Sequence, residues 1–280
     1  MEVITSPKLM QEAIISLKRQ GKKVGFVPTM GYLHEGHKSL IRCSKKENDI
    51  TVVSIFVNPL QFGKNEDLDR YPRDFERDRN ICQEEGVDYL FYPDYKDMYP
   101  EGFQTYVEVT ELSKGLCGDF RPNHFKGVAT VVLKLFNIVN PDNAYFGKKD
   151  YQQFKIVERM VKDLNLPINV VGCPIVREPD GLAMSSRNTY LSKEERESAL
   201  FIYKGLLEGK KLFESGEKDS EKIKQAVYQT INKAPLVKNI QYIELVDKDT
   251  LKPKKFAEKG DIIAVAVYVG NTRLIDNIEL

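Results

Sequence analysis

The chain has 280 residues, 41% of them hydrophobic and 30% charged, a balance that suits packed cores and argues against a disordered protein. Its 42 basic and 41 acidic residues leave a formal net charge of +1, so the basic excess typical of nucleic-acid binders is missing and no nucleic-acid partner is expected. Apolar runs stay short of the ~20 residues of a membrane span, no signal-peptide pattern begins the chain, and the four cysteines are widely spaced, so we expect a cytoplasmic protein without a membrane partner.

Short apolar runs alternate with helical patterns over the first two-thirds of the chain. The apolar and β-branched runs predict strands at Lys22–Pro28, Ile50–Val57, Val87–Tyr92, Asn143–Phe146 and Ile168–Cys173. Between and beside them, amphipathic or charged patterns predict helices at Gly36–Asn48, Pro72–Glu85, His124–Asn140 and Tyr151–Leu164. This alternation predicts an α/β fold with a doubly wound parallel sheet, in which ligands bind at the carboxyl ends of the strands.

The pattern changes beyond about Leu191. Charged amphipathic helices are predicted there at Lys193–Glu214 and Ser220–Asn232. Strands are predicted at Ile240–Val246 and Ile262–Val269, and a third at Thr272–Ile275. We therefore expect a second, smaller α+β domain over residues 179–280, after a first domain over residues 1–178.

The first candidate site is the segment Pro28–His37, which follows a strand and begins a helix. Gly31 and Gly36 allow the backbone to approach a ligand closely. His34 and His37 lie near the helix start, where free N–H groups and the helix dipole attract phosphate. A metal pair is an alternative, although the zinc-protease motif places its histidines four residues apart instead of three. A glycine turn with two surface histidines is the other alternative.

Histidine is rare in this chain, and its distribution favours the phosphate interpretation. Of three histidines, His34 and His37 share one loop, which scattered surface residues would seldom do. The third, His124, lies between Arg121 and Lys126. These three residues could form a basic pocket wall or an ordinary polar loop.

Two neutral amides follow the strand Ile50–Val57. Asn58 and Gln61 suit hydrogen bonds to the hydroxyl or carboxylate groups of a small polar substrate. A simple turn capped by the Asn-Pro pair is the alternative.

Another polar segment, FGKKDYQQ, connects a strand to a helix. Gly147 allows close approach of a ligand, while Lys148 and Lys149 bring positive charge to a helix start. Because lysines normally favour helix C-termini, this placement makes sense if they bind a phosphate. Asp150 could instead cap the helix, and Gln153 lies one turn further on.

The last candidate segment, Val176–Asn188, combines a Pro-Asp-Gly turn signal with hydroxyl and guanidinium groups. Ser185, Ser186 and Arg187 on a flexible segment could hold a triphosphate. A solvated linker between domains is the alternative.

These segments resemble a known family. PTMGYLHEGH resembles the His-x-Gly-His signature of class I nucleotidyltransferases and synthetases, and AMSSRN resembles their second, Lys-Met-Ser-Lys-Ser signature. Together with FVNPLQF, NHFKGVATVVLKLFNIV and FGKKDYQQ, they are similar to the pantothenate synthetase (pantoate–β-alanine ligase) family. The resemblance covers residues 20–195 motif by motif and is looser beyond.

The resemblance implies a Rossmann-like domain, a C-terminal lid domain and a homodimer. It also implies an enzyme that joins pantoate to β-alanine through a pantoyl-adenylate, with ATP as co-substrate and release of AMP and pyrophosphate. The resemblance further implies that Mg²⁺ accompanies the ATP phosphates. The sequence shows no dedicated metal cage, and Mg²⁺ commonly keeps waters plus phosphate ligands.

By the same resemblance, His37, His34 and Lys149 would be catalytic, and Gln61, Gln153 and Asn58 would bind substrate. The residues implied to bind ATP are Met30, Gly31, Tyr32, Leu33, His34, Glu35, Gly36, His37, Gly147, Lys148, Lys149, Asp150, Val176, Met184, Ser185, Ser186 and Arg187. Tyr32 departs from the family motif, which often has a small residue at this position, so its ring either lines the pocket or points outward.

Two other functions remain open at this point. A related nucleotidyltransferase would transfer AMP or CMP to a phosphorylated substrate, but the paired amides of Gln61 and Gln153 do not form a second phosphate site. A non-catalytic nucleotide sensor could dispense with the phosphate-stabilising groups, all of which are present here.

Overall fold

In a computed structural model, which describes residues 1–64 and 66–280, the chain forms two compact units. The first unit comprises Met1–Ser113, Arg121–Lys148 and Gln153–Pro174. The second unit comprises Lys114–Phe120, Lys149–Gln152 and Ile175–Leu280. Two short internal segments therefore pack with the C-terminal part of the chain.

The first unit contains a six-stranded parallel sheet. Its strands are β1 (Glu2–Ile4), β2 (Val24–Thr29), β3 (Ile50–Ile55), β4 (Tyr89–Phe91), β5 (Asn143–Gly147) and β6 (Asn169–Cys173). The order in the sheet is β1-β4-β3-β2-β5-β6, with parallel pairing between neighbours. The chain moves to one side of β2 through β3 and β4, and to the other side through β5 and β6. The strand order thus reverses between β2 and β5, the kind of switch point where ligands bind in such folds.

Helices connect these strands. In chain order they are α1 (Pro7–Arg19), α2 (Glu35–Glu47), α3 (Phe75–Glu84), α4 (Tyr95–Met98), α5 (Cys117–Phe120), α6 (His124–Val139) and α7 (Tyr151–Asp163). Helix α5 and the first two residues of α7 belong to the second unit, and the other helices lie in the first.

The sheet is buried by apolar side chains and anchors α2 through a polar contact. Phe26 of β2 meets Phe136 of α6 edge to face, with ring centroids 6.4 Å apart. The hydroxyl of fully buried Tyr145 accepts a hydrogen bond from Asn48 Nδ2 (2.7 Å) and donates one to Glu47 (2.7 Å). Because a buried hydroxyl without partners is costly, this arrangement fixes the C-terminal end of α2 against β5.

The second unit contains an antiparallel sheet with the order β7-β8-β9. Its strands are β7 (Val237–Val246), β8 (Ile262–Val269) and β9 (Thr272–Glu279), and its long helices are α8 (Lys193–Glu214) and α9 (Ser220–Ile231). Buried side chains such as Leu206, Val227 and Val265 form its core. Among the residues described in both units, we find no helix with the length and apolar character needed to cross a membrane.

The predicted fold class is confirmed, although some boundaries differ. The helix predicted from Pro72 begins at Phe75, because the Asp74 carboxylate accepts a hydrogen bond from the Arg77 amide (3.1 Å) and caps the helix there. Proline in the first turn was therefore wrong for α3. The third C-terminal strand does form, and it extends from Thr272 to Glu279. The short strand β1 and helix α1 were not predicted.

Candidate active site

A tight turn connects β2 to α2. Gly31 and Tyr32 both have left-handed backbone conformations, with φ of 82° and 51°. The hydroxyl of Thr29, at the end of β2, accepts a hydrogen bond from the Gly31 amide (3.1 Å). The turn brings the chain directly into α2, so that the helix begins beside the switch point of the sheet.

Two histidines cap the start of α2. His34 is the N-cap residue, and its Nδ1 accepts a hydrogen bond from the Gly36 amide (3.1 Å). The Nδ1 of His37 accepts one from the His34 amide (3.2 Å), and the two ring centroids are 4.0 Å apart. Because each Nδ1 is an acceptor, a neutral ring must carry its proton on Nε2. With neutral rings, the helix start therefore carries two imidazole N–H groups in addition to its dipole, a combination that suits a phosphate group.

The amide of Gln61 lies against this loop. Gln61 ends a 3-10 turn, Pro59–Gln61, that follows β3. Its Nε2 lies 3.3 Å from the sulfur of Met30, and the residue is buried. The structure thus brings the predicted substrate amide next to the first residue of the predicted ATP loop.

Asn58 holds Gln61 in place. Its Nδ2 donates to Gln61 Oε1 (3.1 Å) and to the Gly127 carbonyl (3.1 Å). Its Oδ1 accepts from the Leu60 amide (3.4 Å) and from the hydroxyl of buried Tyr99 (2.8 Å). These four bonds use both donors and both acceptor positions of the Asn58 amide. Direct substrate binding by Asn58 stays a prediction, and the geometry favours a supporting role.

Arg121 and His124 are occupied by contacts within the first unit. The Arg121 guanidinium forms two hydrogen bonds to the Glu66 carboxylate (2.7 and 2.6 Å). Burial raises the pKa of Glu66, but the hydrogen bond and charge of Arg121 outweigh this effect, and the net pKa is lowered. His124 Nδ1 donates to the Gln61 carbonyl (2.8 Å), and its Nε2 accepts from Arg121 (3.0 Å). The contacts of Arg121 and His124 therefore form a brace behind Gln61 and favour the ordinary polar loop over the basic pocket wall.

The FGKKDYQQ segment crosses from the first unit to the second. Gly147 ends β5, and the 3-10 turn Lys148–Asp150 continues directly into α7. Within the second unit, Asn277 Nδ2 donates to the Lys149 carbonyl (2.9 Å). Lys149 Nζ lies 3.9 Å from the Asp150 carboxylate, a long ion pair. Gln153 is half-buried in the first turn of α7.

Residues 176–188 form an ordered hairpin in the second unit. The Met184 amide donates to the Val176 carbonyl (3.0 Å), and Ser185 Oγ accepts from the Arg187 amide (3.2 Å). Ser186 is buried at the start of a 3-10 helix. Glu178 receives two hydrogen bonds from Arg196 of α8 (3.2 and 2.8 Å). These bonds define a loop of fixed shape instead of an open linker.

Sequence reasoning missed one buried carboxylate beside the histidine loop. Asp78 of α3 is 1% exposed and accepts hydrogen bonds from the amides of Tyr32 and Leu33. Burial raises the pKa of Asp78, against the lowering effect of those two amides. The sequence of α3 is mostly charged and polar. Asp78, however, lies four residues before Cys82, an apolar residue that is buried as well. That i, i+4 spacing was the available signal that Asp78 faces inward.

The structure also shows where the ring of Tyr32 lies, the residue at which the sequence departs from the family motif. Its ring lies beneath the guanidinium of Arg77, with the Cζ atom 4.8 Å from the ring centroid. This contact attaches the loop to α3.

The donor set suits anions better than a resident metal ion. Among residues 1–64 and 66–280, no group of three or more His, Cys, Asp or Glu side chains could hold a metal. The side chains at the predicted phosphate positions are mainly imidazole, ammonium, hydroxyl and guanidinium groups. Such groups fit the phosphate oxygens of a nucleotide, whereas a magnesium ion commonly keeps its waters and binds the phosphate oxygens themselves.

A parallel sheet with this strand order, and with polar loops at its carboxyl edge, defines a Rossmann-like α/β protein. The chain belongs to the pantoate–β-alanine ligase family, whose model matches residues 2–279. The family expected from the motifs is thereby confirmed, and with it an enzyme of the ligase class.

Individual relatives agree over the whole chain. A pantothenate synthetase from Sulfurihydrogenibium sp. (strain YO3AOP1) is 73% identical over 100% of both chains. The crystal structure of pantothenate synthetase from Thermus thermophilus has a TM-score of 0.95 at 46% identity and covers 100% of this chain and 99% of its own. The pantoate–β-alanine ligase from Francisella tularensis, complexed with beta-gamma ATP and β-alanine, has a TM-score of 0.82 at 38% identity and covers 100% and 97%.

Proposed function

We propose that this protein condenses pantoate with β-alanine at the expense of ATP, with release of AMP and pyrophosphate. The observation that carries the proposal is the pair of imidazole rings at the start of α2, each with its Nδ1 accepting a backbone amide, beside the switch point of the sheet. Family membership and the relative complexed with beta-gamma ATP and β-alanine support the same substrates.

In the first proposed step, a carboxylate oxygen of pantoate attacks the α-phosphorus of ATP. A new acyl–oxygen–phosphorus bond forms, the bond from the α-phosphorus to the pyrophosphate oxygen breaks, and pantoyl-adenylate and pyrophosphate result. Both reactants are anions, so the enzyme must position them and stabilise the charge that moves onto pyrophosphate. The Nε2–H groups of His34 and His37 donate to phosphate oxygens, and Lys149 supplies positive charge.

In the second step, the amine of β-alanine attacks the acyl carbon of the adenylate. The amide bond forms, the carbon–oxygen bond to AMP breaks, and the proton that the amine gives up passes to the departing AMP phosphate. His37 serves as proton donor to that phosphate and regains its Nε2 proton from the amine, so that the ring ends the step as it began. This route needs no side-chain nucleophile, so no covalent enzyme intermediate is expected.

The proposed ligand positions follow the motifs. Gln61 and Gln153 hydrogen-bond to pantoate, Gln61 also borders the β-alanine site, and Asn58 acts through Gln61. The proposed ATP-binding residues are Met30–His37, Gly147, Lys148, Lys149, Asp150, Val176 and Met184–Arg187. Mg²⁺ bound to the ATP phosphates would supply further charge neutralisation. The family resemblance adds a cytoplasmic homodimer to the proposal, and analytical ultracentrifugation tests the dimer.

The decisive experiment measures pyrophosphate release with ATP, Mg²⁺ and D-pantoate, with and without β-alanine, followed by mass spectrometry. We expect pantothenate and AMP in a ratio of one to one when β-alanine is present. A stable nucleotidylated product, or a requirement for a different acid, would instead indicate a related transferase. Absence of pyrophosphate release with any acid would favour a nucleotide sensor.

Replacing Gln153 with alanine should weaken the binding of pantoate more than the binding of ATP. Loss of one substrate hydrogen bond is expected to raise KM for pantoate about 10-fold. Steady-state kinetics with each substrate varied in turn measure the difference. Gln83→Ala, the same change at an exposed position of α3, is the matched control. Equal weakening of ATP and pantoate would mean that the Gln153 assignment is wrong.

A further inference from the structure

The turn that precedes the two histidines is held by a neighbouring helix. The carboxylate of Asp78 on α3 accepts hydrogen bonds from two consecutive amides, Tyr32 at 2.6 Å on Oδ2 and Leu33 at 2.7 Å on Oδ1. A buried carboxylate is costly unless such donors satisfy it. These bonds therefore account for the burial of Asp78 and, equally, fix the direction of two peptide groups next to His34.

Arg77 contacts the same turn as a hydrogen-bond donor, whereas Asp78 is an acceptor. Its Nη2 donates to the Leu33 carbonyl (2.8 Å), and its guanidinium covers the Tyr32 ring. One helix thus holds both the amide and the carbonyl of Leu33, the residue immediately before the N-cap histidine.

The turn needs this support because of its backbone conformation. Tyr32 occupies the left-handed region, which disfavours any residue with a Cβ, and it follows Gly31 in the same region. The bond from the Gly31 amide to Thr29 fixes only the first part of the turn. The bonds to Asp78 fix the second part, which sets where α2 begins and hence where the rings of His34 and His37 lie.

We propose that Asp78 is a positioning residue that places the His34 and His37 donors for contact with the ATP phosphates. The inference rests on the proposed function only in taking ATP as the ligand of the histidine loop. Catalytic groups must be held within about 0.5 Å of their productive positions, so a supporting carboxylate at the base of the loop has a measurable effect on the reaction.

The test replaces Asp78 with asparagine, which keeps the size but turns one acceptor into a donor that opposes a loop amide. Because a misplacement of about 1 Å can cost 10²-fold, we expect kcat/KM for ATP to fall by roughly 100-fold. KM for pantoate should stay within about twofold, since Gln61 lies on a different turn and contacts Met30, which precedes the part of the loop that Asp78 holds. ATP affinity measured by calorimetry should fall in parallel.

Asp142→Asn is the matched control. The Asp142 carboxylate also accepts a backbone amide, that of Val24 (2.8 Å), and pairs with Lys18 (3.0 Å), but at the opposite, amino end of β2. This variant should lower the melting temperature and leave both KM values unchanged. If Asp78→Asn behaves like Asp142→Asn, with a lower melting temperature and unchanged ATP kinetics, the residue is only structural and the inference is overturned.

A second variant keeps the test decisive if Asp78→Asn does not fold. Arg77 is partly exposed, so Arg77→Ala should fold, and it removes the bond to the Leu33 carbonyl. Its kcat/KM for ATP should fall about 10-fold, as expected for one charged hydrogen bond, and an unchanged value would also overturn the inference. A wild-type protein that binds ATP but does not turn over pantoate would contradict the proposed function instead, while calorimetry would still test the role of Asp78.

Discussion

Replacing His37 with alanine is expected to reduce turnover by about 10²–10⁴-fold, the usual range for a positioned proton-transfer group. The variant loses the Nε2–H donor at the start of α2. It also loses the Nδ1 acceptor for the His34 amide, so the neighbouring ring becomes less well fixed. Single-turnover measurement of AMP formation, with ATP, pantoate and β-alanine all saturating, reports this loss directly.

His37→Ala removes the helix cap together with the imidazole, so this variant alone does not separate the two roles. A glutamine variant separates them. His37 occupies the third helical position, where Gln or Glu reaches back to the N-cap amide in many helices. His37→Ala should therefore cost about 1 kcal/mol of stability from the lost cap, whereas His37→Gln should retain most of it. We expect turnover to be low in both variants. Near-normal turnover in His37→Gln would mean that the imidazole acts as a cap and has no role in the chemistry.

Most of the helices and strands could be predicted from local sequence patterns. The β-branched run at residues 50–57 and the long amphipathic pattern at 193–214 have the lengths and periods of their elements, so strand β3 and helix α8 could be predicted. Strand β1 has three residues, too few for a period to be visible. The start of α3 was misplaced because proline at a first turn and aspartate at a cap are both good start signals, and the structure uses the aspartate.

The division into units depends on contacts that a local pattern does not contain. Residues 114–120 and 149–152 pack with the C-terminal part of the chain. Within the second unit, the Cys117 amide donates to Gln152 Oε1 (3.0 Å), and Asn277 donates to the carbonyl of Lys149 (2.9 Å). Partners separated by 35 and 128 positions cannot be paired from spacing alone.

The candidate site shows the same limit. His34, His37 and Gln61 stood out because unusual residue types cluster after strands, and the assigned roles stay predictions for experiment. The side chains that hold them did not stand out. Tyr99 reaches Asn58 from 41 positions away, and Asp78 reaches the Tyr32 amide from 46 positions away. Nothing in the local sequence distinguishes these supporting residues from other tyrosines or aspartates, because their partners are distant in the chain.

Gly127 is the supporting position where a single methyl group should do most harm. In α6, a Cβ at this residue would lie 2.5 Å from the carbonyl carbon of Leu60 and 2.7 Å from the amide nitrogen of Gln61, and closer still to the Leu60 oxygen. These are backbone atoms, so no side-chain rotation relieves the clash. The 3-10 turn must move away from α6, and the bond from Asn58 to the Gly127 carbonyl is disturbed with it.

Gly127→Ala should therefore affect both stability and pantoate binding. Overpacking of this kind costs about 1–3 kcal/mol, and we expect the upper part of that range because the clash involves backbone atoms, so the gain of about 1 kcal/mol from alanine in a helix offsets it only partly. Displacement of Gln61 should raise KM for pantoate at least about 10-fold, because small misplacements of binding groups have large effects. Chemical denaturation measures the first effect, and kinetics with varied pantoate measure the second.

Gly63→Ala is the control for the same turn region. The atoms nearest to a Cβ at Gly63 would belong to the side chain of Glu66, at 3.7 Å, an ordinary contact, so this variant should keep both stability and pantoate kinetics. If Gly127→Ala is destabilised but binds pantoate normally, the turn relaxes without moving the Gln61 amide, or that amide does not contact pantoate. Gln61→Ala separates these two explanations, because it weakens the binding of pantoate only if the Gln61 amide is part of the substrate site.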